Sequence, residues 1–207
     1  MRAKCPCRFL LCEGLAAILF IAGCGLVLCG CAGRAPEPTR DNGSATSETG
    51  DVTQYGHVEA AFLSDFAKFV TWPPQAFPTE DTPITIGILG DDPLEGHVEA
   101  IVKDKNVNGH PFRVLHLDSK RVAEARQCQI LFVAPSEGKR LGETLNTLKG
   151  ASTLTVSRMK GFIEAGGMIN FFVAEKNIHF QINDGAARAA GLKLSAKLLS
   201  LARNPQN

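Results

Sequence analysis

The chain has 207 residues and a formal net charge of +1, which becomes −1 once residues 1–31 are set aside. A balance this close to neutral excludes the electrostatic footprint by which proteins bind nucleic acid or anionic lipid surfaces. Six of the seven cysteines lie in the first 31 residues, and only Cys128 lies beyond them. Because a lone thiol forms no intrachain disulfide, the remaining chain must fold on a hydrophobic core alone.

The amino terminus has the pattern of an export signal. Arg2, Lys4 and Arg8 precede an uncharged, mostly aliphatic run over residues 14–28. A basic region followed by an apolar run of about 15 residues is typical of a signal sequence, whereas a spanning helix needs about 20. We therefore predict a signal peptide over residues 1–31, with a retained single-pass anchor as the alternative.

The apolar run ends in a sequence similar to a lipobox, the motif at which signal peptidase II cuts after a cysteine is lipidated. LCGC at residues 28–31 would make Cys31 the lipidated first residue. IAGC at residues 21–24 is the alternative and would use Cys24, but it would leave an apolar stretch directly after the anchor. Acyl chains contribute about 0.8 kcal/mol per buried methylene. A lipoprotein is therefore predicted, and secretion without lipid is the other interpretation.

Residues 32–55 are rich in Gly, Pro, Ser, Thr and charged side chains and have almost no large apolar ones. Such a segment buries too little surface to offset its loss of conformational entropy. We expect a flexible tether here. The folded domain is then predicted over residues 56–207.

Hydrophobic periodicity in this domain alternates between helix and strand. Asp92 is expected to cap the second helix, with Pro93 in its first position. The predicted elements are a helix over 57–70 that ends at the Trp-Pro-Pro sequence 72–74, a strand over 84–89, a helix over 94–105, a strand over 112–117, a polar helix over 119–126, a strand over 130–134, a helix over 138–149 and a strand over 153–157.

The carboxyl-terminal part has a different pattern. Strands over 168–174 and 178–182 are separated by residues 175–177 only, which requires an antiparallel hairpin. A helix over 185–203 follows. The sequence therefore predicts a mixed α/β fold, with a mainly parallel sheet flanked by helices, a C-terminal β-hairpin and a long C-terminal helix.

The domain also carries short motifs that are weak singly but specific in their order and spacing. They are AFL at 61–63, FVTWP at 69–73, IGILG at 86–90, CQILFV at 128–133, LTVS at 154–157, GF at 161–162, GGMIN at 166–170, FQIN at 180–183, AA at 186–187 and LL at 198–199. This series resembles the YfiR family of small periplasmic proteins.

The resemblance implies a regulator without catalysis. The resemblance implies an inhibitor that binds the periplasmic sensor domain of an inner-membrane diguanylate cyclase. Inhibition would lower the level of cyclic di-GMP and so disfavour biofilm formation. In the best-known arrangement, a separate outer-membrane lipoprotein sequesters the inhibitor. Lipidation of Cys31, followed by Ala32 rather than Asp, would instead tether this chain to the outer membrane. A membrane sensor kinase is the alternative partner, and a homodimer is left open.

Six residues are candidates for partner or ligand binding, and each also has a structural interpretation. Trp72 either fills the edge of the core or faces solvent as an interface hot spot. Phe162, if exposed beside Met168 and Phe171, would form an apolar docking patch. Asn170 and Asn183 either have hydrogen-bond partners within the sheet or line a ligand cleft.

No catalytic or metal-ligating pattern stands out. The five histidines show neither H-x-x-x-H nor H-E-x-x-H spacing, and Ser157 lies in no G-x-S-x-G elbow. The turn over residues 90–92 has no phosphate-binding glycine pattern and is expected to cap a helix. We therefore predict no enzyme, cofactor, metal or nucleic-acid partner. A protein-binding repressor is favoured, and a small-molecule-sensing or solute-binding lipoprotein is the alternative.

Overall fold

The computed structural model describes residues 55–94 and 96–203. The predicted signal peptide and the tether up to residue 54, including Cys24 and Cys31, lie outside the described residues. Within the described part, no helix is both long enough and apolar enough to cross a membrane.

The described chain forms five α-helices and nine strands, with three 3₁₀ helices between them. The α-helices are α1 (Gly56–Phe69), α2 (His97–Val102), α3 (Leu141–Thr147), α4 (Asp184–Ala189) and α5 (Ala196–Leu201). The strands are β1 (Val70–Thr71), β2 (Ile84–Leu89), β3 (Asn106–Val107), β4 (His110–Leu117), β5 (Ile130–Val133), β6 (Leu154–Ser157), β7 (Ile169–Ala174), β8 (Asn177–Ile182) and β9 (Lys193–Leu194). The 3₁₀ helices cover Pro74–Ala76, Ser119–Gln127 and Pro135–Arg140.

A seven-stranded sheet in the order β3-β4-β2-β5-β6-β7-β8 forms the centre of the domain. Strands β4, β2, β5, β6 and β7 are parallel, while β3 and β8 are antiparallel edge strands. Every residue of β2, β5 and β6 is buried, as expected for parallel strands covered on both faces. The predicted mixed, mainly parallel sheet with a C-terminal hairpin is confirmed.

Helix α1 covers one face of the sheet because its apolar residues recur at helical spacing. Phe66 stacks on Phe171 of β7, with ring centroids 5.9 Å apart, and meets Phe180 of β8 edge-on at 5.4 Å. Each such pair contributes about 0.5–1.5 kcal/mol beyond the burial of its surface. The helix thereby joins the hairpin to the core.

The opposite face is covered by the 3₁₀ helix Ser119–Gln127, by α3 and by the loop after β6. Leu131, Leu141, Leu148 and Phe162 form its buried cluster together with Cys128. The two clusters lie on opposite faces because alternate residues of each strand point to opposite sides of the sheet.

The predicted C-terminal helix over residues 185–203 is in fact two short helices. Gly191 adopts a left-handed φ of 77°, which ends α4 and directs the chain away from the helix axis. The next residues form β9, which pairs with β1, and Ser195 then donates its N–H to Phe69 O at 2.9 Å. The Ser195 hydroxyl caps α5 by accepting from Leu198 N.

The second predicted helix is also shorter than expected. Asp92 accepts hydrogen bonds from Leu94 N and Gly96 N, so it caps a turn that contains Pro93 rather than the helix itself. Gly96 has a left-handed φ of 73°, and α2 begins only after it. The predicted helix over 138–149 is likewise divided, into a 3₁₀ helix and α3.

Gly167 allows the loop after β6 to fold over Phe162, and this close approach gives a test of the packing. A Cβ at Gly167 would lie 2.2 Å from Phe162 Cε1, whereas one at Gly142 in α3 would meet nothing within 4 Å. We expect Gly167→Ala to lower the free energy of unfolding by about 1–3 kcal/mol through overpacking. The matched variant Gly142→Ala should raise it by about 0.5–1 kcal/mol. Urea unfolding of both full-length variants measures this, and an unchanged stability of Gly167→Ala would contradict the packing described.

Candidate docking surface

The apolar patch expected from Phe162, Met168 and Phe171 is not at the surface. These side chains are buried, with 0%, 7% and 1% exposure. Phe162 and Phe171 also belong to the two different core clusters, on opposite faces of the sheet. The prediction that these side chains are exposed is therefore wrong, because the loop after β6 folds Phe162 inward beneath Gly167.

Trp72 and Asn183 have structural roles in the described chain. Trp72 is buried, and its indole N–H donates to Gln129 O at 3.2 Å, where it joins the end of α1 to the start of β5. Asn183 Oδ1 accepts from Ala186 N at 3.0 Å and so caps α4. The solvent-facing interpretation of Trp72 is wrong.

Asn170, one of the predicted binding residues, has a side-chain oxygen that accepts no hydrogen bond in the described structure. The residue is buried, and its Oδ1 has no hydrogen-bond partner among the described residues. His179 Nε2, diagonally across on β8, is likewise buried and unpartnered within the same part of the chain. A buried water or a ligand group is the usual reason for such atoms, so ligand contact by Asn170 stays a prediction.

Exposed large apolar side chains occur elsewhere in the described chain. They are Val58 on α1, Val173 on β7 and Leu201 on α5, with 40%, 46% and 54% exposure. The buried face of α1 includes Ala60, Leu63, Phe66 and Ala67, and Val58 lies outside it.

Val58 and Val173 both lie towards the carboxyl edge of the sheet. Val58 precedes Phe62 by one turn of α1, and Val173 lies on the same face of β7 as Phe171. The Phe62 and Phe171 rings are 5.9 Å apart. The first turn of α1 lies at the carboxyl end of β6, where Glu59 pairs with Arg158, and the residue Trp72 that follows the helix bonds at the start of β5, so α1 runs opposite to the parallel strands. Both valines therefore extend from this aromatic contact in the same direction. We call Val58, Phe62, Val173 and Ile178, which pairs with Val173 on β8, the α1–hairpin surface.

The hairpin projects beyond the rest of the sheet. Strand β6 pairs with β7 only up to Asn170, so the last four residues of β7 have β8 as their one strand neighbour in the described structure. The connecting loop is two residues, Glu175 and Lys176, rather than the three expected, and their φ values are 53° and 61°. Such turns favour Asn and Gly, so two exposed charged residues are unusual here. They give the apolar surface a charged rim.

A buried ion pair lies beneath this surface. Glu59 of α1 is 1% exposed, and its Oε2 accepts from Arg158 Nη1 at 3.1 Å, just after β6. Burial raises the pKa of Glu59 to about 7, although the charge and the hydrogen bond of Arg158 act in the opposite direction. The pair joins the first turn of α1 to the carboxyl end of β6, and no sequence pattern indicated it.

Other polar groups at the carboxyl edge bond to the protein itself. Ser119 Oγ donates to Glu137 Oε1 at 2.6 Å, and Ser157 Oγ donates to Val133 O at 2.7 Å. Asp91 N donates to Ser136 Oγ at 3.0 Å. These bonds fix the loops after β2, β4, β5 and β6, so this edge is a rigid support for the α1–hairpin surface.

The described residues also contain no group of three His, Cys, Asp or Glu side chains that could hold a metal ion. Burial raises the pKa of the Cys128 thiol to about 11, so the group is protonated at neutral pH and is a poor nucleophile.

Titration of Glu59 should make stability pH-dependent. The folded state holds its proton up to about pH 7 and the unfolded state only to 4.5, so this stabilisation is complete below pH 4.5 and is lost as the pH rises to 7. The loss is on the order of 3 kcal/mol. We expect Glu59→Gln to reduce the fall in unfolding free energy between about pH 5 and about pH 8, measured by urea titration.

Asp65→Asn serves as the control, because Asp65 lies on the same helix in a half-exposed pair with Lys68. This variant should keep the pH dependence of the wild type. An equal fall in Glu59→Gln and wild type would contradict the raised pKa.

Comparison with known proteins identifies the family of this chain. A family model described as YfiR/HmsC-like matches residues 56–203. No curated protein matches the chain. Among solved structures, a conserved domain protein from Vibrio cholerae is similar at 14% identity and a TM-score of 0.46, over 73% of this chain and 58% of that one. The family match covers nearly every described residue, and the chain belongs to the YfiR/HmsC-like family.

Proposed function

We propose that this protein is a periplasmic regulator that docks on the sensor domain of an inner-membrane diguanylate cyclase and holds its output low. The observation that carries the proposal is the family match over residues 56–203. YfiR-like proteins are periplasmic regulators and not a known family of enzymes. Inhibition of the cyclase, and the resulting lower level of cyclic di-GMP, is the specific role we assign.

The α1–hairpin surface supports protein docking. Val58 and Val173 present apolar side chains at 40% and 46% exposure, while Glu175 and Lys176 provide a charged rim. Apolar centres with polar rims are typical of protein interfaces, which bury about 800 Å² per partner. Beneath the surface, the stacking of Phe66 on Phe171 and the Glu59–Arg158 pair fix its shape, which limits the entropy lost on binding.

An outer-membrane lipid anchor at Cys31 is the second part of the proposal. The 24 residues of the predicted tether, 32–55, would span at most about 85 Å when fully extended. Such a tether limits the distance over which the domain reaches an inner-membrane receptor. Anchoring would therefore give this chain the restraint that a separate lipoprotein supplies in the best-known arrangement.

The anchor makes a direct prediction about lipidation. Cys31→Ala should abolish incorporation of radiolabelled palmitate into the protein, because the acceptor thiol is missing and signal peptidase II then leaves the signal peptide uncut. The matched variant Cys24→Ala should incorporate palmitate as the wild type does. Immunoprecipitation from labelled cells measures both. Loss of label in Cys24→Ala, or unchanged label in Cys31→Ala, would contradict lipidation of Cys31.

The docking surface predicts the behaviour of a deletion strain. Cyclic di-GMP should rise on deletion and return to its original level with the wild-type gene. Val58→Asp/Val173→Asp should fail to restore it, since a buried unpaired carboxylate opposes docking. Ala123→Asp, at an exposed position on the 3₁₀ helix Ser119–Gln127, should restore it fully.

Quantification of cyclic di-GMP by mass spectrometry, with immunoblots for equal protein, gives the comparison. No rise on deletion while the protein is expressed would contradict cyclase inhibition. Full complementation by the double aspartate variant would instead place docking on another surface.

A further inference from the structure

We propose that the amino edge of the sheet carries a binding site for a small organic anion. A cavity of about 530 Å³ opens there, between the segments that lead into β2, β5 and β6. This volume lies within the range of small-molecule sites, about 300–1,000 Å³. The cavity lies at the opposite end of the strands from the α1–hairpin surface, so the site is independent of the proposed function.

Two arginines give the cavity its charge. Arg113 and Arg126 both line it, and no acidic side chain is among its lining residues. Neither guanidinium pairs with a carboxylate in the described structure, whereas Arg121, Arg158 and Arg188 all do. Both side chains are exposed, so a carboxylate that enters the cavity can reach them.

Arg126 is held in position by neutral groups. Its Nη1 donates to Thr147 O at 2.6 Å and to Lys149 O at 3.0 Å, across the loop between α3 and β6. Carbonyl acceptors fix the direction of the guanidinium but leave its positive charge uncompensated. A planar, pre-oriented guanidinium suits bidentate contact with a carboxylate.

The wall of the cavity is preformed by hydrogen bonds through Gln129. Its Oε1 accepts from Thr85 N at 2.8 Å, and its Nε2 donates to Ala76 O at 2.9 Å. Its backbone carbonyl accepts the Trp72 indole N–H. One residue therefore joins three segments around the cavity. Because these segments are already fixed, little conformational entropy is lost when a ligand binds.

The remaining lining favours an organic ligand over an inorganic ion. Ala76, Pro78, Pro83 and Ala151 give apolar wall surface, and Cys128 is a neutral, buried thiol on the same side. A ligand with a carboxylate for the arginines and an apolar body for these walls matches both parts.

Titration calorimetry of the detergent-solubilised full chain tests the site with benzoate, its uncharged isostere benzamide, and inorganic phosphate. We expect benzoate to bind at least about tenfold more tightly than benzamide or phosphate. Arg113→Gln and Arg126→Gln should each weaken benzoate binding by about tenfold or more. Arg121→Gln is the matched control and should bind benzoate as the wild type does, because Arg121 bonds to Glu124 outside the cavity.

Arg126 also holds a loop, so its substitution could change the fold as well as the site. Arg113→Gln is the decisive variant, because the Arg113 side chain makes no hydrogen bond in the described structure. Thermal unfolding checks that each variant is folded. The proposal is overturned if wild type shows no heat with benzoate up to about 10 mM, if benzamide or phosphate binds as tightly as benzoate, or if folded Arg113→Gln binds benzoate as wild type does.

Discussion

Four phenylalanine rings join helix α1 to the hairpin: Phe62 and Phe66 from the helix, and Phe171 and Phe180 from the strands. Their centroids lie 5.4–5.9 Å apart across this contact. Because α1 is fixed here, Glu59 lies in the interior beside Arg158, and Val58 lies towards the same edge of the sheet as Val173. The continuation of the helix places β1 against β9. The aromatic contact thus determines both the core on this face and the surface that we assign to docking.

The two ends of the parallel strands differ in character. Ligands of open α/β sheets usually bind at the carboxyl ends, yet most polar groups there bond to the protein, as Ser119 does to Glu137. The amino end instead holds Arg113 and Arg126 without carboxylate partners in the described chain. A docking surface at one end and an anion site at the other would let one small domain respond to two kinds of partner.

Much of the fold could be predicted from the sequence, because β2 and β5 are mostly apolar runs and apolar residues recur at helical spacing along α1. The division of the long C-terminal helix into two was missed, although Gly191 is the kind of residue that ends helices. The pairing of β9 with β1 that follows it is a tertiary contact that no local pattern reveals. The site was less predictable. The sequence alone does not distinguish a buried phenylalanine from one exposed at an interface. Phe162 is buried through its tertiary contact with Gly167. The Glu59–Arg158 pair joins residues 99 positions apart, which no local spacing reveals.

Site-specific photocrosslinking in cells tests the central claim most directly. A photoreactive amino acid replaces Val173 in the full-length protein, and the matched position is Ala123 on the opposite face. After irradiation, we expect Val173 to form a covalent adduct with a membrane diguanylate cyclase, identified by mass spectrometry, and Ala123 to form none. An adduct with the cyclase at Ala123 alone, or at neither position while both proteins are expressed, would contradict docking through the α1–hairpin surface.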